Sequence, residues 1–305
     1  MKVIFSQQLI LFLFIAAGYL LSKTGKLKED QSKILSGILV YVFLPCNIFK
    51  TFSTNFTVSY IGENYKLLLI STAVLLTVFV GAHFAAKLFT KNKYERNILE
   101  YSMSIPNYGY MGYALAEALL GETGLMNIMT FAIPASIYIY TIGFAMLTKR
   151  GLSLKKLCNP PMIATVLGIA AGLCGFKTPE VLASVLVKAS GCMAPVSMLL
   201  TGIVISGFPL KKILSHRNIY PLAAIRLVVL PLLVGFALSC FCDRATVQVV
   251  VLFMALPCGL NTVVFPKLVD ENCELGAGIA LVSTVLACAT LPLVLSLFGI
   301  GVLGS

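Results

Sequence analysis

Charged residues are scarce in this chain of 305 residues: they make up 11% of it, whereas hydrophobic residues make up 58%. An average soluble domain has about 25% charged residues, so this composition does not cover a folded surface in water. It excludes a soluble enzyme and a nucleic-acid-binding protein. The net charge of +11 does not change this, because the basic residues lie in short loops between apolar runs, where the membrane surface is their partner.

Metal ligands and catalytic motifs are equally scarce. The chain has two histidines and nine cysteines, and the close pair Cys240 and Cys242 lacks a second pair of ligands. We therefore expect no metal, no disulfide framework and no cofactor. The zinc-protease motif and the phosphate-binding loop are also missing, so an enzyme is not expected, and any transport would have to draw on ion or substrate gradients.

Ten apolar segments approach the roughly 17 to 25 residues that a helix needs to cross the hydrocarbon core. The sequence therefore predicts an all-α polytopic membrane protein with ten transmembrane helices. The predicted spans are Val3–Ser22, Ile34–Phe49, Leu67–Ala86, Ile98–Leu120, Leu125–Thr148, Pro161–Phe176, Val181–Leu210, Ile219–Cys242, Thr246–Pro266 and Leu275–Val302.

Lysine and arginine are distributed unevenly between the two sides of these spans. Sixteen of them follow odd-numbered spans, and five lie on the opposite side. Positive charge marks the cytoplasmic side, so we expect a multi-pass protein of the cell (inner or plasma) membrane with both termini outside. The basic loops are Lys23–Lys33, Lys87–Arg96, Lys149–Lys156, Lys211–Arg217 and the loop that contains Lys267.

The two halves of the chain correspond at an almost constant offset of 150 or 151 residues. Five spans per half is an odd number, so the second copy must enter the membrane upside down, as in many secondary transporters. We therefore divide the chain into two inverted five-helix repeats, residues 1–150 and 151–305. The matching pairs are Pro45 and Pro195, Pro106 and Pro257, Gly18 and Gly168, and Leu125 and Leu275.

Spans four and nine each carry a proline that is followed by glycine and asparagine, and we expect both helices to break there near mid-membrane. Lipid cannot satisfy the freed backbone groups, so such a break is buried in protein or faces a wet cavity. The half-helix N-termini would favour an anion. Ordinary proline kinks are the alternative, but two breaks at equivalent positions favour a site. The predicted substrate-binding residues are Pro106, Asn107, Tyr108, Gly109, Pro257, Gly259, Asn261 and Thr262.

Ionisable residues within spans are further pointers to function. Arg226 lies seven residues beyond the start of span eight, about 10 Å deep, from where a long side chain reaches the interface by snorkelling. It is therefore either an interfacial anchor or a residue that attracts or gates anions. Glu100, Glu117 and His83 lie near span ends, so the sequence does not indicate a buried carboxylate of the kind that relays protons.

At these motifs the sequence resembles the auxin efflux carrier family, in the compact prokaryotic form that includes malate permeases. The resemblance implies a fold like that of bile-acid symporters and sodium-proton antiporters, with spans four and nine broken and crossing. Spans one, two, six and seven would form a scaffold through which homodimers assemble. Spans three to five and eight to ten would form a moving transport unit, and carboxylates would bind at the crossing. The similar stretches are Gly18–Phe52, Pro106–Leu125, Asn159–Gly172, Arg226–Leu233 and Ala255–Pro292.

Two departures from the family pattern limit what the resemblance implies. Ala114 stands where many relatives have a proline, and the loop from Lys149 to Asn159 lacks the long insert of plant auxin carriers, so auxin is not the expected substrate.

Two functions compete. The leading one is a secondary transporter that moves a small organic anion, a carboxylate, by alternating access around the crossing. The alternative is a transporter-like membrane sensor that binds a small carboxylate, which the short loops disfavour because no soluble domain passes on a signal. The expected partners are a small organic anion, membrane lipid and a second copy of the chain, and no nucleic acid.

Overall fold

The computed structural model describes residues 2–27, 31–149, 160–208, 211 and 214–300, and these residues form helices and connections without a β-strand. The expected boundary between the repeats, at residues 150 and 151, lies outside the described residues, as do Lys28, Arg150, Lys155, Lys156 and Lys212 of the basic loops.

The helices are α1 (Lys2–Lys23), α2 (Gln31–Asn55), α3 (Val58–Phe89), α4 (Lys93–Ser104), α5 (Tyr113–Phe131), α6 (Ile133–Thr148), α7 (Pro160–Leu173), α8 (Glu180–Ser206), α9 (Ile219–Ser239), α10 (Arg244–Ala255), α11 (Asn261–Leu268) and α12 (Glu274–Leu297).

Five of the described helices, α2, α3, α8, α9 and α12, are long and apolar enough to cross a membrane. Thr123–Phe131 and Ile133–Thr148 make a sixth span when taken together, with a bend of 41° between them. Shorter apolar helices lie at Leu9–Lys23, α7 and α10. The protein is thus an all-helical, polytopic membrane protein, as the composition and the apolar runs predict.

Polar side chains begin several helices at the ends of apolar runs. The side chains of Thr57, Asn92 and Asp243 accept hydrogen bonds from backbone N–H groups in the first turns of α3, α4 and α10. The backbone and hydroxyl of Thr246 both donate to Asp243, which holds the pKa of that carboxyl below its usual range. Within α5 the helix is interrupted at Gly121, whose φ of 71° lies in the region that only glycine adopts freely.

Within the described part of the chain, four π-helical turns interrupt or begin helices of the core. Such turns add one residue to a helical turn and are frequent at functional sites. They lie at Leu39–Phe43 in α2, Tyr108–Gly112 before α5, Ile139–Gly143 in α6 and Ile225–Val229 in α9.

Among the described helices, α1 packs on α8 and α7 packs on α2 with their backbones in direct contact. A Cβ atom at Gly202 of α8 would lie 2.0 Å from the carbonyl oxygen of Ile15 in α1. A Cβ atom at Gly172 of α7 would lie 2.7 Å from the carbonyl oxygen of Phe52 in α2. Because lipid tails provide no hydrophobic drive between helices, such close contact of small residues is what holds membrane helices together.

Helix α10 lies at the centre of the protein. Every residue from Val249 to Leu256 is at most 1% exposed, which is the pattern of a helix surrounded by protein on all sides. Its C-terminal end, and the chain that follows it, are therefore buried inside the protein.

Candidate functional site

The chain leaves the helical conformation at two prolines. α4 ends at Ser104, and α10 ends at Ala255. Ile105 and Leu256, which precede Pro106 and Pro257, both have extended backbones, as the residue before a proline prefers. The breaks that the sequence predicts in these two helices are therefore present, and each leaves backbone groups without a helical partner.

The backbone groups freed at the two breaks form hydrogen bonds with each other. The N–H of Asn107 donates to the carbonyl of Pro257 at 2.8 Å, and the N–H of Gly259 donates to the carbonyl of Ile105 at 3.0 Å, so Pro106 and Cys258 form an antiparallel bridge. A Cβ atom at residue 259 would lie 3.2 Å from the Ile105 oxygen, so glycine permits this close approach. The broken segments thus meet inside the protein, where water does not replace their lost bonds.

Arg226 ties the ends of the two half-helices together. Its side chain is 0% exposed, and its Nη1 and Nη2 atoms donate to the carbonyls of Met103 and Phe253 at 3.3 Å and 3.4 Å. These carbonyls lie in the last turns of α4 and α10, where the helix dipoles are negative. The expectation that Arg226 snorkels to the interface is wrong, because the negative helix ends hold the guanidinium in the core.

Asn107 has a buried side chain without a hydrogen-bond partner. It is 2% exposed, and neither Oδ1 nor Nδ2 is bonded to a protein group. Leaving a buried amide unpaired is unfavourable, so this pair of atoms is available to a ligand. Asn261 also lines the cavity next to Asn107, but its Nδ2 donates to the hydroxyl of Tyr101 at 2.8 Å.

The cavity at the crossing is small and lined by neutral groups. Its volume is about 40 Å³, room for about one water molecule. The described residues that line it carry no charged side chain. Two helix starts border it, at the π-helical turn that begins with Tyr108 and at Asn261 of α11, and each contributes partial positive charge. The lining is Leu44, Asn47, Ile48, Thr51, Phe52, Pro106, Asn107, Tyr108, Gly109, Tyr113, Ser136, Ile139, Tyr140, Met193, Gly259, Leu260 and Asn261.

Six of the eight predicted site residues line this cavity together: Pro106, Asn107, Tyr108, Gly109, Gly259 and Asn261. The structure places the other two behind it. Pro257 contributes the carbonyl that Asn107 bonds, and Thr262 is 0% exposed and donates to the carbonyl of Gly259 at 3.2 Å. Which of these residues contact a ligand stays a prediction.

Sequence reasoning missed the polar residues that face the crossing from other helices. Asn47 and Thr51 come from α2, and Ser136, which shares a hydrogen bond of 2.7 Å with the Tyr108 hydroxyl, comes from α6. The signal for the α2 pair was present, because polar residues four apart in an apolar helix lie on one face. No local signal pointed to Ser136.

A buried carboxylate was also missed. Glu100 of α4 is 8% exposed, and its Oε2 lies 2.9 Å from Nδ1 of His83 in α3. The two residues lie on different helices, so no sequence spacing reveals the pair. Among the described residues, no group of three or more His, Cys, Asp or Glu side chains lies close enough to hold a metal ion.

The apolar helices and the two helix breaks buried among them define a polytopic membrane protein with a broken-helix crossing in its interior. The chain belongs to the family described as membrane transport protein, whose model matches residues 3–156 and 150–295. This is the family of auxin efflux carriers and malate-permease-like proteins, so the resemblance drawn from the sequence is confirmed. The protein is therefore a membrane transporter.

Similar proteins are named as transporters as well. An uncharacterized transporter of Methanocaldococcus jannaschii is 29% identical over 67% of this chain and 69% of its own length. A Rhizobium meliloti protein, provisionally named a malonate transporter, is 26% identical over 96% of this chain and 95% of its own length. An uncharacterized transporter of Escherichia coli K12 is 22% identical over 90% and 91% of the two chains.

Proposed function

We propose that this protein is a secondary transporter that carries a small organic anion, a carboxylate, across the plasma membrane by alternating access. The observation that carries this proposal is the unpartnered amide of Asn107, buried where two helix starts border a neutral cavity. An amide N–H and the positive ends of two helices suit a carboxylate. The name of the Rhizobium meliloti relative, which refers to a three-carbon dicarboxylate, agrees with this class of substrate.

The proposed architecture is ten spans in two inverted five-helix repeats. The first repeat consists of α1, α2, α3, the broken span from α4 to Gly121, and the bent span Thr123–Thr148. The second consists of α7, α8, α9, the broken span α10–α11, and α12. The close helix contacts support this symmetry, because α1 packs on α8 as α7, the proposed counterpart of α1, packs on α2.

The cavity lies between the helices that we assign to the scaffold and those that we assign to the moving unit. Asn47 and Thr51 of α2 and Met193 of α8 form the scaffold side, and the crossing forms the other side. Because about 40 Å³ is too small for a carboxylate of several heavy atoms, the two sides must separate to admit it. Displacement of one unit against the other would open the site to each side of the membrane in turn.

The orientation and the assembly are part of the proposal. The basic loops would face the cytoplasm, with both termini outside. A homodimer would form through α1, α2, α7 and α8, as the family resemblance implies.

Counterflow in proteoliposomes tests this function. Vesicles loaded with unlabelled malonate, acetate or phenylacetate should accumulate the same labelled carboxylate, and choline-loaded vesicles should not accumulate choline. Asn107→Asp keeps the shape of the side chain but places a negative charge in the cavity, so it should abolish counterflow. Asn272→Asp, on an exposed loop, is the matched control and should transport normally. Binding without counterflow in the wild type would support the sensor alternative instead.

Sodium is not expected to take part in binding. The described cavity lining contains no carboxylate to coordinate a hard cation. Calorimetric titration of malonate in sodium-containing and sodium-free buffer should therefore give the same affinity within about twofold. An affinity that disappears without sodium would contradict this expectation.

A further inference from the structure

The buried carboxylate of Glu100 is a titratable group that the substrate cavity does not use. It lies in the half-helix α4, four residues before the last helical residue, Ser104, and six residues before Pro106. Oε2 of Glu100 is 2.9 Å from Nδ1 of His83 in α3. A carboxylate at membrane depth is unfavourable unless it has a partner, so the imidazole is what permits this acid to be buried.

The pair has one buried member and one accessible member. Glu100 is 11% exposed at its side chain, whereas the side chain of His83 is 46% exposed. His83 lies six residues before the end of α3, at the end of the bundle that carries Lys87, Lys91 and Lys93. The imidazole is therefore the exposed member of the pair, about 9 Å along α3 from the end that carries these lysines.

Other ionisable groups around Glu100 do not replace the imidazole as a proton donor. Tyr138 of α6 lies near Glu100, but the Tyr138 hydroxyl donates its hydrogen bond to the sulfur of Met146. Arg226 of α9 donates to the carbonyl of Met103, further along α4, and makes no bond to the carboxylate. Phe84 packs its ring edge-on against the His83 ring.

We propose that Glu100 and His83 form a proton-binding site that couples the movement of one proton to the movement of the carboxylate substrate. This inference rests on the proposed function. The proton passes between water and the Glu100 carboxylate by way of His83; it is taken up on one side of the membrane and released on the other after the helices that carry both residues have moved. A charged Glu100 in the half-helix that ends at the crossing repels an anion bound there and weakens its binding. Protonation removes the repulsion, so proton and anion bind together.

Coupling to a proton also reduces the net charge that moves across the membrane with the substrate. A carboxylate that enters alone moves a negative charge against an inside-negative potential. A monocarboxylate accompanied by one proton moves no net charge. His83 in α3 and Glu100 in α4 both belong to the proposed moving unit, so the pair travels with the crossing.

Two measurements on reconstituted protein test the coupling. In wild-type vesicles, an inward proton gradient without other ion gradients should drive labelled malonate uptake about tenfold above the level without a gradient. Glu100→Gln mimics the protonated acid permanently. It should keep malonate counterflow, become independent of pH between about pH 6 and pH 8, and lose gradient-driven accumulation. Glu117→Gln, at an exposed position on α5, is the matched control and should behave as the wild type.

His83→Gln provides a second test that does not depend on the fold of the Glu100 variant. His83→Gln removes the hydrogen-bond partner of the buried carboxylate, so the pH at which malonate counterflow is half-maximal should move upward. A purely structural pair would change protein yield and thermal stability but not the midpoint. Wild-type counterflow without any response to the proton gradient would overturn the coupling and leave the proposed function intact. An unshifted profile in His83→Gln would overturn the assignment to this pair, and the absence of wild-type counterflow would overturn both proposals.

Discussion

At the scale of single residues, Asn107 is the most informative position because its amide is buried but makes no bond to the protein. A residue that stabilises the fold through its side chain would be bonded, as Asn261 is to Tyr101. The contrast separates two kinds of polar residue at the same crossing. Under the proposed function, Asn261 holds the site in shape and Asn107 binds the ligand.

This contrast leads to a prediction for the two asparagines. Asn107→Ala should weaken carboxylate binding by about tenfold or more, because about 1 to 3 kcal/mol of ligand hydrogen bonding is lost. It should leave the melting temperature in detergent unchanged, since no protein bond is removed. Asn261→Ala should lower both quantities, because the Tyr101 hydroxyl loses a partner. Calorimetry with malonate and thermal unfolding measure the two effects, and a destabilised Asn107→Ala protein would contradict this interpretation.

Arg226 illustrates how far a local reading of depth can mislead. Distance along a helix places the residue within reach of the interface, but the side chain turns inward to the carbonyls of Met103 and Phe253. A guanidinium has donors in a fork that can serve both carbonyls, whereas an ammonium is a single point charge.

Arg226→Lys should therefore destabilise the protein although the charge is kept. We expect a loss of about 1 to 3 kcal/mol, because one of the two half-helix ends is left with an unpaired buried carbonyl. Thermal unfolding in detergent measures the loss. Arg217→Lys, at an exposed position before α9, is the control and should be neutral. Equal melting temperatures for the two variants would show that the fork is not required.

At the scale of helices, glycine decides which pairs pack closely. Gly202 faces the backbone of α1, where a Cβ atom would lie 2.0 Å from the Ile15 oxygen. Gly191, on the same helix α8, has nothing within 4 Å of the position of its missing Cβ. Glycine therefore has two different roles within one helix. The role of each glycine depends on what lies opposite it in the fold.

Alanine at these two positions should have opposite effects. Gly202→Ala forces α1 and α8 apart and should destabilise the protein by about 1 to 3 kcal/mol. Gly191→Ala should be neutral or stabilising by up to about 1 kcal/mol, because alanine favours the helix more than glycine does. Thermal unfolding of both variants in the same detergent compares them. If Gly202→Ala is as stable as the wild type, α1 and α8 are not held at backbone contact.

At the scale of the whole molecule, the distribution of basic residues leads to a prediction of orientation. Single cysteines at Lys91 and Ser215, introduced into a cysteine-free background, should be shielded from impermeant thiol reagents in intact cells. A single cysteine at Lys177 should be labelled. All three positions are exposed, so burial does not explain a difference. Labelling of the cysteine at Lys91 from outside would contradict both the orientation and the inverted repeat.

The sequence by itself determined the class of protein and the positions of the two helix breaks. Both depend on local chemistry: apolar runs longer than about 17 residues are stable only across a membrane, and proline removes a helical hydrogen bond wherever it occurs. The breaks at Pro106 and Pro257 and the family resemblance therefore needed no tertiary information. The number of spans, the inverted repeat and the site residues stay predictions.

Only the tertiary structure decided which distant residues meet. Pro106 pairs with Cys258, Glu100 is buried against His83, and Arg226 lies between two helix ends rather than at the interface. Such pairs join segments that are far apart in the chain or on different helices, so no periodicity or spacing encodes them. Burial and the pairing of polar groups are properties of the packed helices, and only they distinguish the unpaired amide of Asn107 from the bonded amide of Asn261.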